Sequence, residues 1–138
     1  MNMAQQTPAL KVRVGGYSDK GRKTDNQDAF AAHLPSGEAL RLKGACAAIA
    51  DGVSSCADSH LASQTSVTSF VQDYFSTPDS WSAGNAASRV LHSLNSWLYQ
   101  HNHQSKSERD SRLCTFSAVV IKSSTLHCFH VGDSRIYH

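Results

Sequence analysis

Apolar and polar positions switch along the chain between a period of two and a period near 3.6, and the switches mark its elements. Leu10, Val12 and Val14 alternate with Lys11 and Arg13, which predicts a half-buried strand over residues 10–17. Residues 18–27, SDKGRKTDNQ, hold no large apolar side chain and predict a loop. The run Asp28 to Leu34 predicts a second strand that begins on an acid. Pro35-Ser36-Gly37 is a turn, after which Leu40 and Leu42 are expected to lead into a third strand from Gly44 to Ala50. Ala47, Ala48, Ile49 and Ala50 are apolar on both sides, so Asp51 stands where the chain leaves a buried strand at an Asp-Gly turn.

From about Ala57 the period becomes helical, with Leu61, Ala62, Thr65, Val67, Phe70, Val71 and Tyr74 on one broad face. Asp58 or Ser59 can cap this helix, and Thr77-Pro78 ends it because proline disfavours helix at the residue before it. A second helix is expected from about Ser82 to Gln100, with Ala86, Val90, Leu91, Leu94, Trp97 and Leu98 facing the core. His101 to Arg112 is a polar connector. Two alternating runs, Thr115 to Ile121 and Leu126 to Val131, read as a β-hairpin turning through Lys122 to Thr125. Gly132-Asp133-Ser134 breaks the second run, and Arg135-Ile136-Tyr137 is expected to open a further strand. An apolar strand edge is a liability that folded domains cover, so the chain is expected to be part of a larger folding unit.

A length of 138 residues suits one domain with a real core, over residues 10–138, behind a polar, flexible N-terminus over residues 1–9. Formal net charge is +2 and the cations are scattered, which gives no footprint for nucleic acid and no basic helix for a membrane surface. The start, MNMAQQTPAL, lacks the basic end and apolar core of a signal peptide, and no apolar run is long enough to span a bilayer, so a cytoplasmic protein is expected. Cys46, Cys56, Cys114 and Cys128 lie far apart without a CxxC pair, which suits free thiols. Along a strand His127 faces away from Cys128 and His130, so these three do not converge on a zinc ion.

Three acids share a context: Asp28 opens a strand, Asp51 closes one, and Asp133 sits in a tight turn between two. Each alone reads as an ordinary turn aspartate. Strand ends at one rim of a sheet converge, however, and clustered carboxylates repel one another unless cations neutralise them. Hard divalent ions such as Mg²⁺ or Mn²⁺ accept these oxygen ligands, and Gly52, without a side chain, leaves its carbonyl free to approach an ion held by Asp51.

The stretches Gly21-Arg22-Lys23-Thr24-Asp25-Asn26-Gln27-Asp28, Ala50-Asp51-Gly52 and Val131-Gly132-Asp133-Ser134-Arg135 resemble, in order and spacing, the metal-dependent PP2C-type (PPM) protein serine/threonine phosphatases, bacterial ones especially. The resemblance begins near Gly15 and implies an α+β fold, a four-layer αββα sandwich of antiparallel sheets flanked by helix pairs, here incomplete. It implies that Asp51 bridges two Mn²⁺ or Mg²⁺ ions, that Gly52 offers its carbonyl to one, that Asp28 assists through metal-bound water, and that Asp133 helps to hold a third ion. A water between two such ions loses its proton near neutral pH and attacks phosphorus in line. The implied substrate is a phosphorylated protein, and some bacterial relatives continue into a protein kinase domain.

Several positions depart from the family pattern. Where relatives carry an arginine that grips the phosphate this chain has Lys23, with Arg22 beside it, and lysine lacks the bidentate fork of arginine. Val53 stands where some relatives have a histidine that protonates the leaving group. Relatives also draw two further aspartate ligands from an Asp-Gly and an Asp-Asn motif later in the domain, so little activity is expected of this chain by itself. The alternative is a non-catalytic phosphatase-like module that binds a partner or phosphopeptide. A third possibility, an esterase with Ser134 as nucleophile in Gly132-Asp133-Ser134, needs a base that no later residue supplies.

Overall fold

The computed structural model describes residues 9–56, 58–104, 107 and 111–138; the expected loose terminus, apart from Ala9, and the expected helix start at Ala57 lie outside the described residues. Four strands, β1 (Asp28–His33), β2 (Ala45–Asp51), β3 (Phe116–Lys122) and β4 (Thr125–Val131), form one antiparallel sheet in chain order. A short helix, α1 (Gly37–Lys43), joins β1 to β2, and two long ones, α2 (Ser59–Ser76) and α3 (Ala83–Gln104), join β2 to β3. Among the described residues no helix is long and apolar enough to cross a membrane.

The strand alternation divides the sheet into a covered and an open face. Cys46, Ala48 and Ala50 of β2 and Phe116, Ala118 and Val120 of β3 point into a core shared with Val67, Phe70, Val71 and Tyr74 of α2 and with Ala83, Ala86, Ala87 and Val90 of α3. Small residues on β2 let α2 lie close to the sheet, and Phe70 fills the space, its ring centroid 5.0 Å from that of Phe116. On the open face Phe30 and Ile49, directly paired across β1 and β2, remain 50% and 44% exposed. Among the described residues one sheet and one helical layer are therefore present, a part of the four-layer arrangement expected.

Three expectations are corrected. The alternating run 10–17 is not a strand: Leu10 and Val12 are half-buried, but the segment joins no ladder among the described residues, and only pairing turns alternation into a strand. Leu40 and Leu42 belong to α1. Ser36 at its N-cap is extended, Glu38 pairs with Arg41 one turn on, and Gly44 ends the helix at φ 78°, donating its N–H to the Leu40 carbonyl at 2.8 Å. These cap signals outweigh two alternating leucines. Arg135-Ile136-Tyr137 likewise forms no strand; Arg135 and Ile136 instead line a shallow cleft on the open face beside Ala47, Ile49 and Val119.

The helical face of α2 also differs from its apolar pattern. Leu61 is exposed, and Ser59, Ser63 and Ser66 occupy buried positions in its place. The second helix runs four residues further than expected, into the connector; beyond Val90 the expected core residues Leu91, Leu94 and Leu98 are only half-buried, and Trp97 is exposed. Turning the hairpin requires φ 54° at Ser123, which explains the weak sequence signal there.

Lys43 ties these elements together. Its ammonium is buried and donates to the Thr77 carbonyl at 2.5 Å, the Thr77 hydroxyl at 2.7 Å and the Pro78 carbonyl at 3.0 Å, where α2 ends. Desolvation holds its pKa below the ordinary lysine value, with Asp79 partly offsetting it. Tyr74 returns the contact by donating its hydroxyl to the Lys43 carbonyl at 2.8 Å. Replacing Lys43 by methionine keeps the stem and orphans three acceptors, so a loss of about 2 kcal/mol is expected from the urea midpoint, the scale of hydrogen bonds to a charged group.

Candidate metal and phosphate site

The β1–β2 register builds the site. Asp28 pairs with Asp51 across the ladder, and the pairing continues one step further through the Gly52 N–H, which donates to the Gln27 carbonyl at 2.9 Å. Strand period puts Asp28 and Asp51 on the same, open face. Asp28 is exposed and its backbone N–H is capped by Asn26 Oδ1 at 3.0 Å, while Asn26 Nδ2 reaches Ser18 Oγ at 2.8 Å and so anchors the preceding loop. The Gln27 carbonyl also accepts from Ser63 Oγ at 2.6 Å, which ties this corner to α2.

Electrostatics single out Asp51. Burial first, and then hydrogen-bond contact with Asp28 and its negative charge, push the Asp51 carboxyl above the ordinary aspartate range; Asp133 adds repulsion and Lys23 offsets part of it. Asp51 Oδ1 is buried without a hydrogen-bond partner. An orphaned, electron-rich oxygen beside a second carboxylate fits a cation, and oxygen donors of this kind suit Mg²⁺ or Mn²⁺. Asp28 is the main acidic neighbour of Asp51 and Asp133 adds a smaller repulsion: among the described residues no three His, Cys, Asp or Glu side chains enclose a metal position.

The other expected positions lie around this pair. Lys23 is exposed, with Nζ 3.4 Å from Ser54 Oγ in the turn after Asp51. Arg22 is exposed next to it. Gly52 is buried, and a side chain there would collide with the first turn of α2, its Cβ falling 2.5 Å from the Ser59 carbonyl oxygen. Close approach of helix to strand is thus a reason for glycine that is independent of any ion. Ser134, the nucleophile of the esterase reading, has its hydroxyl 2.7 Å from that of Thr115, and no imidazole partners it among the described residues. His127, Cys128 and His130 face Val120, Val119 and Ser117 in turn, and His130 Nδ1 lies 2.8 Å from Ser117 Oγ.

Two contributors have weaker sequence signals. Tyr17, Ser18 and Asp19 line a cleft of about 360 Å³ together with Asp28, Phe30, Ile49, Asp51, Ser134 and Arg135, although they belong to no regular element. Thr115 faces Asp51 across the β2–β3 junction, donating its N–H to the Asp51 carbonyl at 2.8 Å. Counting back along the antiparallel pairing from the β3 run would have found it.

Residues 15–138 match the family description protein phosphatase 2C, and the chain belongs to that family. No curated protein and no solved structure matches it closely enough to refine the assignment.

The raised Asp51 value carries a definite sign. A carboxyl titrating above its unfolded value favours the folded state below the ordinary aspartate range, and that contribution is lost as pH rises through the raised value. In metal-free protein at pH near 7, Asp51→Asn is therefore expected to raise the melting temperature by a few degrees. The gain should vanish on acidification below the usual aspartate range, as thermal melts at a series of pH values will show.

Proposed function

We propose that this chain contributes to a metal-dependent protein serine/threonine phosphatase site whose centre is Asp51. The observation that carries the reading is the paired Asp28 and Asp51 with an orphaned Asp51 oxygen, at the rim of a cleft, within reach of the Lys23 charge. Membership of the family supports it. Asp51, the Gly52 carbonyl, Asp28 and Asp133 are the groups that would hold Mn²⁺ or Mg²⁺. Such ions neutralise the carboxylates and activate water for attack on phosphorus.

The chain's own side chains divide the remaining work. Lys23, with Arg22 beside it, attracts the phosphate of a phosphoserine or phosphothreonine in a protein substrate, as a point charge rather than a fork. Asp28 holds its carboxylate at a fixed strand position to orient a water. Val53 is apolar and gives no proton to the leaving group, so that proton comes from solvent. With only two carboxylates in close contact, this chain alone binds metal weakly and turns over slowly.

Calorimetric titration with Mn²⁺ is expected to show weak binding that disappears in Asp51→Asn. Phosphate release from a phosphothreonine peptide should be slow, Mn²⁺-dependent and absent in Asp51→Asn. Lys23→Ala should raise KM roughly tenfold, the loss expected for one charge-assisted hydrogen bond. Undiminished turnover by Asp51→Asn would sink the proposal. The lack of a three-acid cluster among the described residues favours a second reading, a non-catalytic phosphopeptide-binding module. Its signature is peptide binding indifferent to Mn²⁺ and to Asp51→Asn.

A further inference from the structure

Thr115 occupies an irregular point in an otherwise regular ladder. β2 and β3 pair as far as Ile49 with Ser117, and an isolated bridge resumes between Gly52 and Cys114. Between them Asp51 faces Thr115. A regular antiparallel pair of this kind exchanges two backbone hydrogen bonds. Here one is regular, Thr115 N–H to the Asp51 carbonyl at 2.8 Å, while the Asp51 N–H donates to the Thr115 side-chain hydroxyl at 3.1 Å. The hydroxyl stands where a carbonyl would.

The same hydroxyl lies 2.7 Å from Ser134 Oγ, in the turn that carries Asp133. The methyl of Thr115 supports that turn from the other side: a Cβ on Gly132 would fall 2.8 Å from Thr115 Cγ2, and Gly132 adopts φ 102°. Glycine is required there both by space and by backbone conformation. Thr115 therefore touches Asp51 through its N–H and hydroxyl, Ser134 through the hydroxyl, and Gly132 through the methyl. No other residue described above bonds to Asp51 and to the Asp133 turn at once.

We infer that Thr115 is a positioning residue, which fixes the backbone of Asp51 and couples it to the Asp133 turn through the Thr115–Ser134 hydroxyl pair. Its effect on metal binding rests on the phosphatase reading of Asp51; its effect on the Asp51 backbone does not. A hydroxyl bonded on both sides leaves Asp51 little freedom to rotate out of the rim, and groups that orient a ligand in this way control affinity without touching the ion.

The test uses Thr115→Val, which keeps the methyl shape and removes the hydroxyl, and Thr115→Ser, which keeps the hydroxyl. Residue-resolved amide exchange of the metal-free chain should show the Asp51 amide exchanging faster in Thr115→Val, while core amides such as Ala48 and Val120 are unchanged. Mn²⁺ affinity should fall about 10- to 100-fold, the usual effect of removing a residue that orients a ligand. Thr115→Ser should restore both. Ser134→Ala should also shift the Asp51 amide resonance, since the link runs through that hydroxyl. Selective Asp51 exchange rescued by serine supports the inference. Unchanged Asp51 protection in Thr115→Val overturns it, as does equal acceleration of every amide, which marks a merely structural role. A serine variant as impaired as the valine one also overturns it, because a retained hydroxyl then fails to hold the Asp51 backbone. If the wild-type chain shows no Mn²⁺ binding, the phosphatase reading fails, and the metal-free exchange still decides the role of Thr115.

Discussion

Two carboxylates held opposite each other by backbone pairing are the constraint on which the site depends. Asp28 and Asp51 cannot move apart without breaking the β1–β2 ladder, because their positions follow from the register and not from flexible side chains. Slipping β1 by one residue against β2 would send Asp28 to the helix-covered face, where Ala29 and Ala31 now sit, and separate it from Asp51. The burial of Asp51, and then its contact with Asp28, which together lift its carboxyl, are thus a standing cost of the fold.

Holding that register falls largely to α2. Its first turn presses on Gly52, Ser63 fastens the Gln27 carbonyl, and its far end is secured by Lys43. Serines occur on its buried side because the strand lies too near for larger groups and because each hydroxyl finds a partner: Ser59 with the Cys56 carbonyl, Ser63 with Gln27, Ser66 with Cys114. A helix that reads as weakly amphipathic therefore packs tightly. Its core contribution comes from Phe70 and Tyr74 toward the C-terminal half, and its polar contribution from the N-terminal half beside the acids.

Most of the sheet was legible in the sequence. The strands at Asp28, at Ala45–Asp51 and in the hairpin follow directly from alternation and apolar runs, and Asp51 was recognisable from its place at a strand end. Leu40 and Leu42 misled because the Glu38–Arg41 pair and the Gly44 cap act over one turn and compete with a two-residue alternation too short to decide. The run from Leu10 carries a strand pattern, but pattern describes which side is apolar and not whether a partner edge exists. Counting along the ladder places Thr115 opposite Asp51, but no local spacing encodes that its hydroxyl, rather than its carbonyl, accepts from the Asp51 N–H. Asp133 was expected in a tight turn between two strands; it follows β4 in a bend with no strand after it, and chain order does not reveal that it forms no three-acid cluster with Asp28 and Asp51 among the described residues.

The exposed pair of Phe30 and Ile49 stands on the same face as the two acids, two residues further in. These two side chains are open to solvent, which screens the neighbouring charges. Any layer laid across Phe30 and Ile49 would remove that water and lower the local dielectric, so the repulsion between Asp28 and Asp51 would grow together with the attraction for a cation. Covering the apolar surface and charging the rim are in this sense one thermodynamic event: apolar contact on one side of Asp28 and Asp51 sets how strongly they demand a positive charge on the other.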